Sequence, residues 1–453
     1  MHPAVILVLG VAAVLVVSSV LALNLMLSSE SEREALLEAN QFVASDRIVN
    51  STGSAGGYGS LVPPLGLDTP VLIFCYKRQE YLKRTLEGLK KYHPGNGGPP
   101  IVVSQDGDDV FVRQVSEEFR LALLSDDRTD QLTYVHMNHQ QVPTENGYYA
   151  LAQHYKWALD QVFLEMAQQG LDVPPARVII LEEDLDIAPD FFDYFAAVAP
   201  LLDTDRELLA ASAWNDNGQI GLARDPERLV RSDFFPGLGW MMTASAWKEL
   251  GPKWPLAYWD DWLREPAQRR GRHFIRPEVC RTYHFAEEGT SHNEFSDFLS
   301  NVRLNDEPVQ WRAKDLKFLD RLRYDQELVA TLKAAPLVTV EEVLRGLPEF
   351  MTTARVQYVG LRDAPGTFAD VAQQLGVMDN EKAGVPRGAY HGVVEFWYGG
   401  VKVFLAPRLY ETGLPGTEWP MRGNRLMSEG GRRVYKYGEE VPTPPPVDVN
   451  AST

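Results

Sequence analysis

Three acids in a row, Glu182, Glu183 and Asp184, follow the apolar stretch Val178–Leu181, with Ala176 just ahead of it. The stretch reads as a buried strand that delivers three carboxylates at its C-terminal end, where open α/β sheets bind ligands. Crowded carboxylates repel one another unless positive charge joins them, and a divalent metal carrying a phosphorylated substrate would supply it. A solvated acidic loop after a strand is the plainer reading of the same triplet. A second acidic pair, Asp260-Asp261, stands between Trp259 and Trp262. Aromatic faces pack on the C–H surfaces of pyranoses and exclude water, so a carboxylate among them suits general-base chemistry on a sugar. On an extended segment the two acids point to opposite sides, and only one faces a substrate. A surface pair beside core tryptophans fits the pattern equally.

A nucleotide-sugar substrate would ask for more, and other residues stand ready. Arg78 follows the apolar run Val71–Cys75, where a guanidinium could pair with a phosphate. With Lys77, Lys83 and Arg84 nearby it could also sit at a solvated helix start. Asp106 ends the run from Ile101, where its carboxylate could accept from a uracil N–H. His154 lies inside a helical stretch, as a ligand contact or as a structural histidine. Gly289-Thr290-Ser291-His292 is a turn of small residues whose backbone N–H groups could face a phosphate.

These residues need a scaffold, and the chain alternates to provide one. Strands are expected at Val71–Cys75, Ile101–Ser104, Leu132–His136 and up to Leu181. Between them Leu82, Leu86 and Leu89, then Val112, Val115, Phe119 and Leu123, recur at helical spacing, as do Leu151, Tyr155, Leu159 and Phe163 within Tyr148–Met166. Strands alternating with helices imply an α/β fold with a mostly parallel central sheet. From 208 to 325 the pattern is irregular and rich in aromatics (Trp214–Gly218, Phe235–Trp240, Trp259–Trp262), where binding loops usually sit. Strands at Ala354–Val359, Val393–Tyr398 and Val401–Leu405, the last two joined by Gly399-Gly400 as a hairpin, indicate a smaller α+β unit.

Pro3–Leu27 carries no charged residue and is long enough to span a bilayer. It reads as a signal anchor more readily than as a cleaved signal peptide, because no basic flank precedes it. The expected organisation is a short tail and anchor at 1–27, a Gly/Ser-rich stem at 28–66, a catalytic domain at 67–328, a C-terminal α+β domain at 329–440 and a Pro-rich disordered tail at 441–453. A net charge of −18 over 453 residues argues against a nucleic-acid partner. The two cysteines, Cys75 and Cys280, allow at most one internal bridge.

Longer stretches carry a resemblance. Ile101–Asp106, Gly147–Leu159, Glu182–Phe192, Ser212–Gly218, Asp233–Trp240, Trp259–Trp262, Arg276–Glu278, Leu375–Asp379 and Gly384–Arg387 run in family order. They resemble the inverting β-1,2-N-acetylglucosaminyltransferases of the Golgi, and among these the N-acetylglucosaminyltransferase I family. The resemblance covers about residues 70–420 and implies a GT-A type fold, UDP-N-acetylglucosamine (UDP-GlcNAc) as donor and Mn²⁺ as cofactor. It implies Asp184 as the metal ligand and Glu182 and Glu183 as contacts of the donor's sugars. Arg78, Asp106 and His154 fall on nucleotide-binding positions, Thr290 and Ser291 on the loop closing over the diphosphate, and Asp260 on the general base. The acceptor implied is the α-1,3-arm mannose of a high-mannose N-glycan, and the location a single-pass type II Golgi membrane protein with a lumenal catalytic domain. Transfer to O-linked mannose, or a non-catalytic sugar-binding protein with the same fold, are the alternatives. The sequence departs from the family at Glu183, where Asp is usual, at Cys280, usually a small polar residue, and at two cysteine pairs, replaced here by Tyr76 with Gly107 and Ala210 with Phe274.

Overall fold

Four parallel strands with short helical crossovers build the first half of the main sheet. They are β1 (Val71–Cys75), β2 (Ile101–Asp106), β3 (Tyr134–His139) and β4 (Arg177–Glu182). The structure is a computed structural model that describes residues 62–415 apart from 142, 145, 166–172 and 287–295, together with the strands Arg433–Tyr435 and Glu439–Val441. The expected anchor, most of the stem, and Thr290 and Ser291 lie outside the described residues. Among the described residues no helix is long and apolar enough to cross a membrane.

Helix α1 (Gln79–Tyr92) links β1 to β2 and buries Leu82, Leu86 and Leu89, as their spacing predicts. Its Glu80 sits in the first turn and Lys90 and Lys91 in the last, matching the helix dipole. Helix α2 (Val110–Leu124) is capped by the Asp109 carboxylate, which accepts from the N–H groups of Phe111 and Val112. Asn146 caps α3 (Gly147–Leu164) in the same way, through Tyr148 and Tyr149. Strand β3 begins two residues later than expected and runs on to His139.

After β4 come β5 (Leu185–Ile187), α4 (Phe191–Thr204), β6 (Leu208–Ser212), β7 (Leu229–Ser232), β8 (Trp240–Thr243), α5 (Trp259–Arg264), β9 (His273–Pro277) and β10 (Thr282–His284). The eight-stranded sheet has the order β3-β2-β1-β4-β8-β6-β9-β7. The run from β3 to β4 is parallel, and β8 and β7 are antiparallel to their neighbours. Because β1 is flanked by β2 and β4, the chain winds away in both directions from the β1/β4 boundary. A crevice outside the carboxyl ends of the strands is expected there. Gly239, at φ 90°, lets the chain entering β8 pass close to β10, since a Cβ there would stand 2.5 Å from Thr282 Cγ2.

A second sheet, β11-β12-β16-β15, follows, with β11 (Leu337–Val338), β12 (Thr353–Gln357), β15 (Val394–Tyr398) and β16 (Val401–Ala406). The β15–β16 pair is the expected Gly399-Gly400 hairpin, both glycines having positive φ. Between these strands lies a tight hairpin, β13 (Glu381–Lys382) and β14 (Val385–Pro386). The described residues within 59–326 and 335–453 belong to one compact unit. Phe234 enters the second sheet's core, and Asp233 joins the two parts by donating its N–H to Ala389 O and accepting from the His391 N–H.

Two of the aromatic-rich segments expected to form binding loops are packing elements. Trp214, Phe235 and Trp240 are buried, and Asn217 accepts from the Met378 N–H while Asp216 pairs with Arg387. Both cysteines are free and buried. Packing fills the two departures in cysteine pairing. Ala210 and Phe274 are direct partners across β6 and β9, and the Tyr76 ring lies over Gly107.

Candidate functional site

The carboxyl ends of β1 and β4 are neighbours, and they carry opposite charges. Arg78, just past β1, donates from Nε to Glu183 Oε1 and from Nη2 to Asp184 Oδ2, each at 2.7 Å. The Tyr76 N–H donates to Glu183 Oε2 at 3.0 Å. The Tyr155 hydroxyl, from α3, donates to Glu182 Oε1 at 2.7 Å. His284, at the end of β10, brings Nε2 to 3.5 Å from Asp184 Oδ2. Burial, helped by Asp184, pushes Glu182 up to about 7, and burial pushes Glu183 up to about 7 against the pull of Arg78. Burial also pushes Asp184 upward, but His284 and Arg78 outweigh it and hold that carboxyl below its ordinary value. One guanidinium and one imidazole therefore serve three acids. The second oxygen of Asp184, Oδ1, is buried and has no hydrogen-bond partner among the described residues. Such an oxygen is costly to bury unless a ligand or cation completes it.

A second cluster closes the ends of β2 and β3. His139 Nδ1 lies 2.7 Å from Asp106 Oδ1, and Gln141 donates to Asp106 Oδ2 at 3.3 Å. The His139 ring stacks on His154 with centroids 5.2 Å apart, and His154 Nε2 lies 2.8 Å from Ser104 Oγ. Burial pushes His154 down to about 3, so its imidazole is neutral. Phe74 of β1 lies against both His154 and Tyr155, with centroids 4.9 and 3.8 Å away, which couples the two clusters.

The acidic pair stands on the other side of Tyr155. Trp259 stacks on Tyr155 at 4.4 Å and is itself flanked by Trp240 and Trp254, each at 5.7 Å. The segment is the helix α5, which corrects the expectation of an extended chain. Asp260 and Asp261 occupy its first turn, where the helix dipole favours acids, and residues one apart do not oppose each other on a helix. Both instead turn to one guanidinium nitrogen: Arg264 Nη1 donates to Asp260 Oδ2 and Asp261 Oδ1, each at 2.8 Å. Lys382 donates to the remaining oxygen of Asp261 at 2.9 Å. Asp260, with 41% of its side chain exposed, has no hydrogen-bond partner for Oδ1 among the described residues. Tyr258, immediately before the helix, takes the left-handed conformation at φ 51°, a strain that clusters at functional sites.

Residues 62–415 match the GNT-I family. The chain belongs to that family. It is 43% identical over 334 residues to the alpha-1,3-mannosyl-glycoprotein 2-beta-N-acetylglucosaminyltransferase of Arabidopsis thaliana, an alignment spanning 72% of this chain and 70% of the relative. It is also similar to a mannosyltransferase from Pyrobaculum calidifontis solved with GDP-Man and Mn²⁺, at 13% identity and TM-score 0.31, over 67% of this chain and 72% of that one. A similarity to TarS of S. aureus covers 48% of this chain and 60% of that one, at 12% identity and TM-score 0.33. Both likenesses are too distant to bear on the chemistry.

In this GNT-I chain, Arg78, Glu182, Glu183 and Asp184 meet at the β1/β4 boundary, and Asp106 and His154 share the adjoining cluster. Asp260 connects to both through Trp259 and Tyr155. Sequence reasoning missed four participants. Tyr155 read as part of an apolar stripe, although its hydroxyl reaches Glu182. His139 fell beyond the expected end of its strand. His284 offered only its place just before the Gly289–His292 turn. Lys382 offered no local signal, since it meets Asp261 from 121 residues away.

Proposed function

We propose that the chain is an inverting glycosyltransferase that moves N-acetylglucosamine from UDP-GlcNAc, in β-1,2 linkage, to the α-1,3-arm mannose of Man5GlcNAc2 N-glycans. This is the step that opens hybrid and complex N-glycan synthesis. Family membership and the 43% identical relative support the reading. The observation that carries it to these residues is the pairing of Arg78 with the buried Glu183 and Asp184 at the carboxyl ends of adjacent parallel strands, with one oxygen of Asp184 left over among the described residues.

That leftover oxygen, in a cluster short of positive charge, fits a divalent cation. Among the described residues no group of three or more His, Cys, Asp and Glu could hold a metal alone. Asp184 would therefore be the protein's ligand, with donor oxygens completing the shell, as hard cations allow. Mn²⁺ is the ion proposed, and when bound it offsets charge on the leaving diphosphate. The protein's own groups do the rest. Asp106 and His154 hold the nucleotide and Glu182 and Glu183 hold the donor's sugars, while contact of Thr290 and Ser291 with the diphosphate rests on the sequence resemblance alone. Arg78 lends positive charge beside the leaving group. Asp260, through its exposed oxygen, takes the proton from O2 of the mannose. That oxygen attacks C1 of GlcNAc from the face opposite UDP, the C1–O bond to UDP breaks, and UDP leaves with the electron pair. The anomeric centre inverts. The apolar segment 3–27 would hold the enzyme in the Golgi membrane with its catalytic part lumenal, a reading that rests on that segment's sequence.

Calorimetric titration of UDP-GlcNAc tests the donor site. Binding should require Mn²⁺ in the wild type and be lost in Asp184→Ala. Tight Mn²⁺-dependent binding by the variant would overturn the assignment.

A further inference from the structure

The β13–β14 hairpin reaches the acidic pair. Ala383 and Gly384, with φ of 51° and 76°, form the two-residue turn between β13 and β14, and Lys382 pairs with Val385 across it. Positive φ at both central positions marks the type I′ turn, whose twist matches the strands it joins. The hairpin is anchored next to the turn: Arg387 donates to Asn380 Oδ1 at 2.7 Å and to Asp216 Oδ1 at 2.8 Å. Arg387 also lies over one side of the buried Phe234 ring, while Arg264 lies against the same ring, each 4.8 Å from its centroid. Lys382 thus projects from a fixed support onto Asp261 Oδ2.

We propose that Lys382 is a positioning residue for the transfer reaction, holding Asp261 so that Arg264 can orient Asp260. This rests on the reading of Asp260 as the base. Arg264 Nη1 is shared between two carboxylates, and its Nε is already committed to Phe235 O at 3.0 Å. Without Lys382, two negative charges within about 6 Å of each other compete for that one cation, a separation at which like charges disfavour ionisation. Burial alone pushes the Asp261 carboxyl up, and Lys382 leads the groups that bring it below its ordinary value. The charged and titratable groups facing Asp260 are Arg264 and Asp261 on its own helix and Tyr155 from α3, with Lys382 behind Asp261. The β13–β14 hairpin is in this way a working part of the site.

The test compares Lys382→Met, Lys382→Arg and Asp261→Asn with wild type, alongside Asp260→Asn. Lys382 is 40% exposed, so the methionine variant should keep its melting temperature and its affinity for UDP-GlcNAc with Mn²⁺. Its kcat should fall about tenfold with little change in donor KM, a split that marks loss of orientation. The acid limb of its pH–rate profile should move up by about half a unit or more, the expected result of an uncompensated neighbouring charge. Lys382→Arg should restore both, and adding Asp261→Asn to Lys382→Met should return the acid limb toward wild type. A folded Lys382→Met enzyme with unchanged kcat and an unchanged acid limb overturns the inference, as does a shifted limb that Asp261→Asn fails to return. Near-normal turnover in Asp260→Asn would instead overturn the underlying base assignment.

Discussion

Replacing Asp260 by Asn removes a base without removing a shape. The amide oxygen of Asn can still accept from Arg264 Nη1, as Asp260 Oδ2 does at 2.8 Å. Arg264 also keeps Asp261 and the Phe235 carbonyl, so the variant strands no buried cation. The carboxylate is 41% exposed, its pair with Arg264 is solvent-screened, and stability should change by no more than about 1 kcal/mol. Donor affinity should hold as well, because Glu182, Glu183, Asp184 and Arg78 belong to β4 and β1 and are untouched. What disappears is proton removal from the acceptor hydroxyl. A positioned base supplies about 10²–10⁴-fold, or about 3–5 kcal/mol of barrier. Steady-state transfer from UDP-GlcNAc with Mn²⁺ should therefore show kcat lowered by at least about a hundredfold. A folded variant with normal donor binding and turnover within tenfold of wild type would refute the reasoning.

Acid should loosen the joint between the two sheets. Burial pushes Glu395 up, yet Arg228 and Lys402 more than reverse this and hold it at about 2, against about 4.5 for a free carboxyl. The stabilisation is present above about pH 4.5 and is lost as pH falls toward 2, because the unfolded chain takes up the proton first. Glu395→Gln should flatten that part of the stability–pH curve by about 3 kcal/mol in denaturant titrations, and an unchanged slope would count against the ion pair. Asp190→Ala should destabilise more. Asp190 Oδ2 accepts from Arg281, Trp311 and the Val309 N–H, and the Arg281 side chain is fully buried. Leaving that cation unpaired should lower unfolding free energy by about 3–5 kcal/mol; a loss below about 1 kcal/mol would show that the pair carries little.

The parallel half of the sheet was legible because β1, β2 and β4 are buried on both faces and read as unbroken apolar runs ending in polar residues. The acidic triplet could be placed for the same reason: the apolar run before it ends cleanly at Leu181, and β4 itself takes in Glu182. Strand β3 was harder to bound. Asn138 and His139 extend it past its apolar part, and His139 went unnoticed with them. Helix α5 was illegible for a different reason. It is six residues long, too short to show a period, and no side chain caps the backbone at its start. Its acids therefore read as an extended pair facing opposite ways, when Arg264 in fact gathers both. Asn217 is buried by a contact with Met378, more than 100 residues later, and Trp214 by packing on Cys280 and Val302, contacts that local pattern does not carry. The same distance hid Lys382.

The most direct test of the account is the product itself. The purified chain should be given UDP-GlcNAc, Mn²⁺ and either Man5GlcNAc2 or an O-mannosyl peptide, and the product linkage read by nuclear magnetic resonance. The account predicts one GlcNAc in β configuration on O2 of the α-1,3-arm mannose of Man5GlcNAc2, with little transfer to the peptide. An α-linked product, transfer confined to the O-mannosyl peptide, or no transfer at all would contradict it.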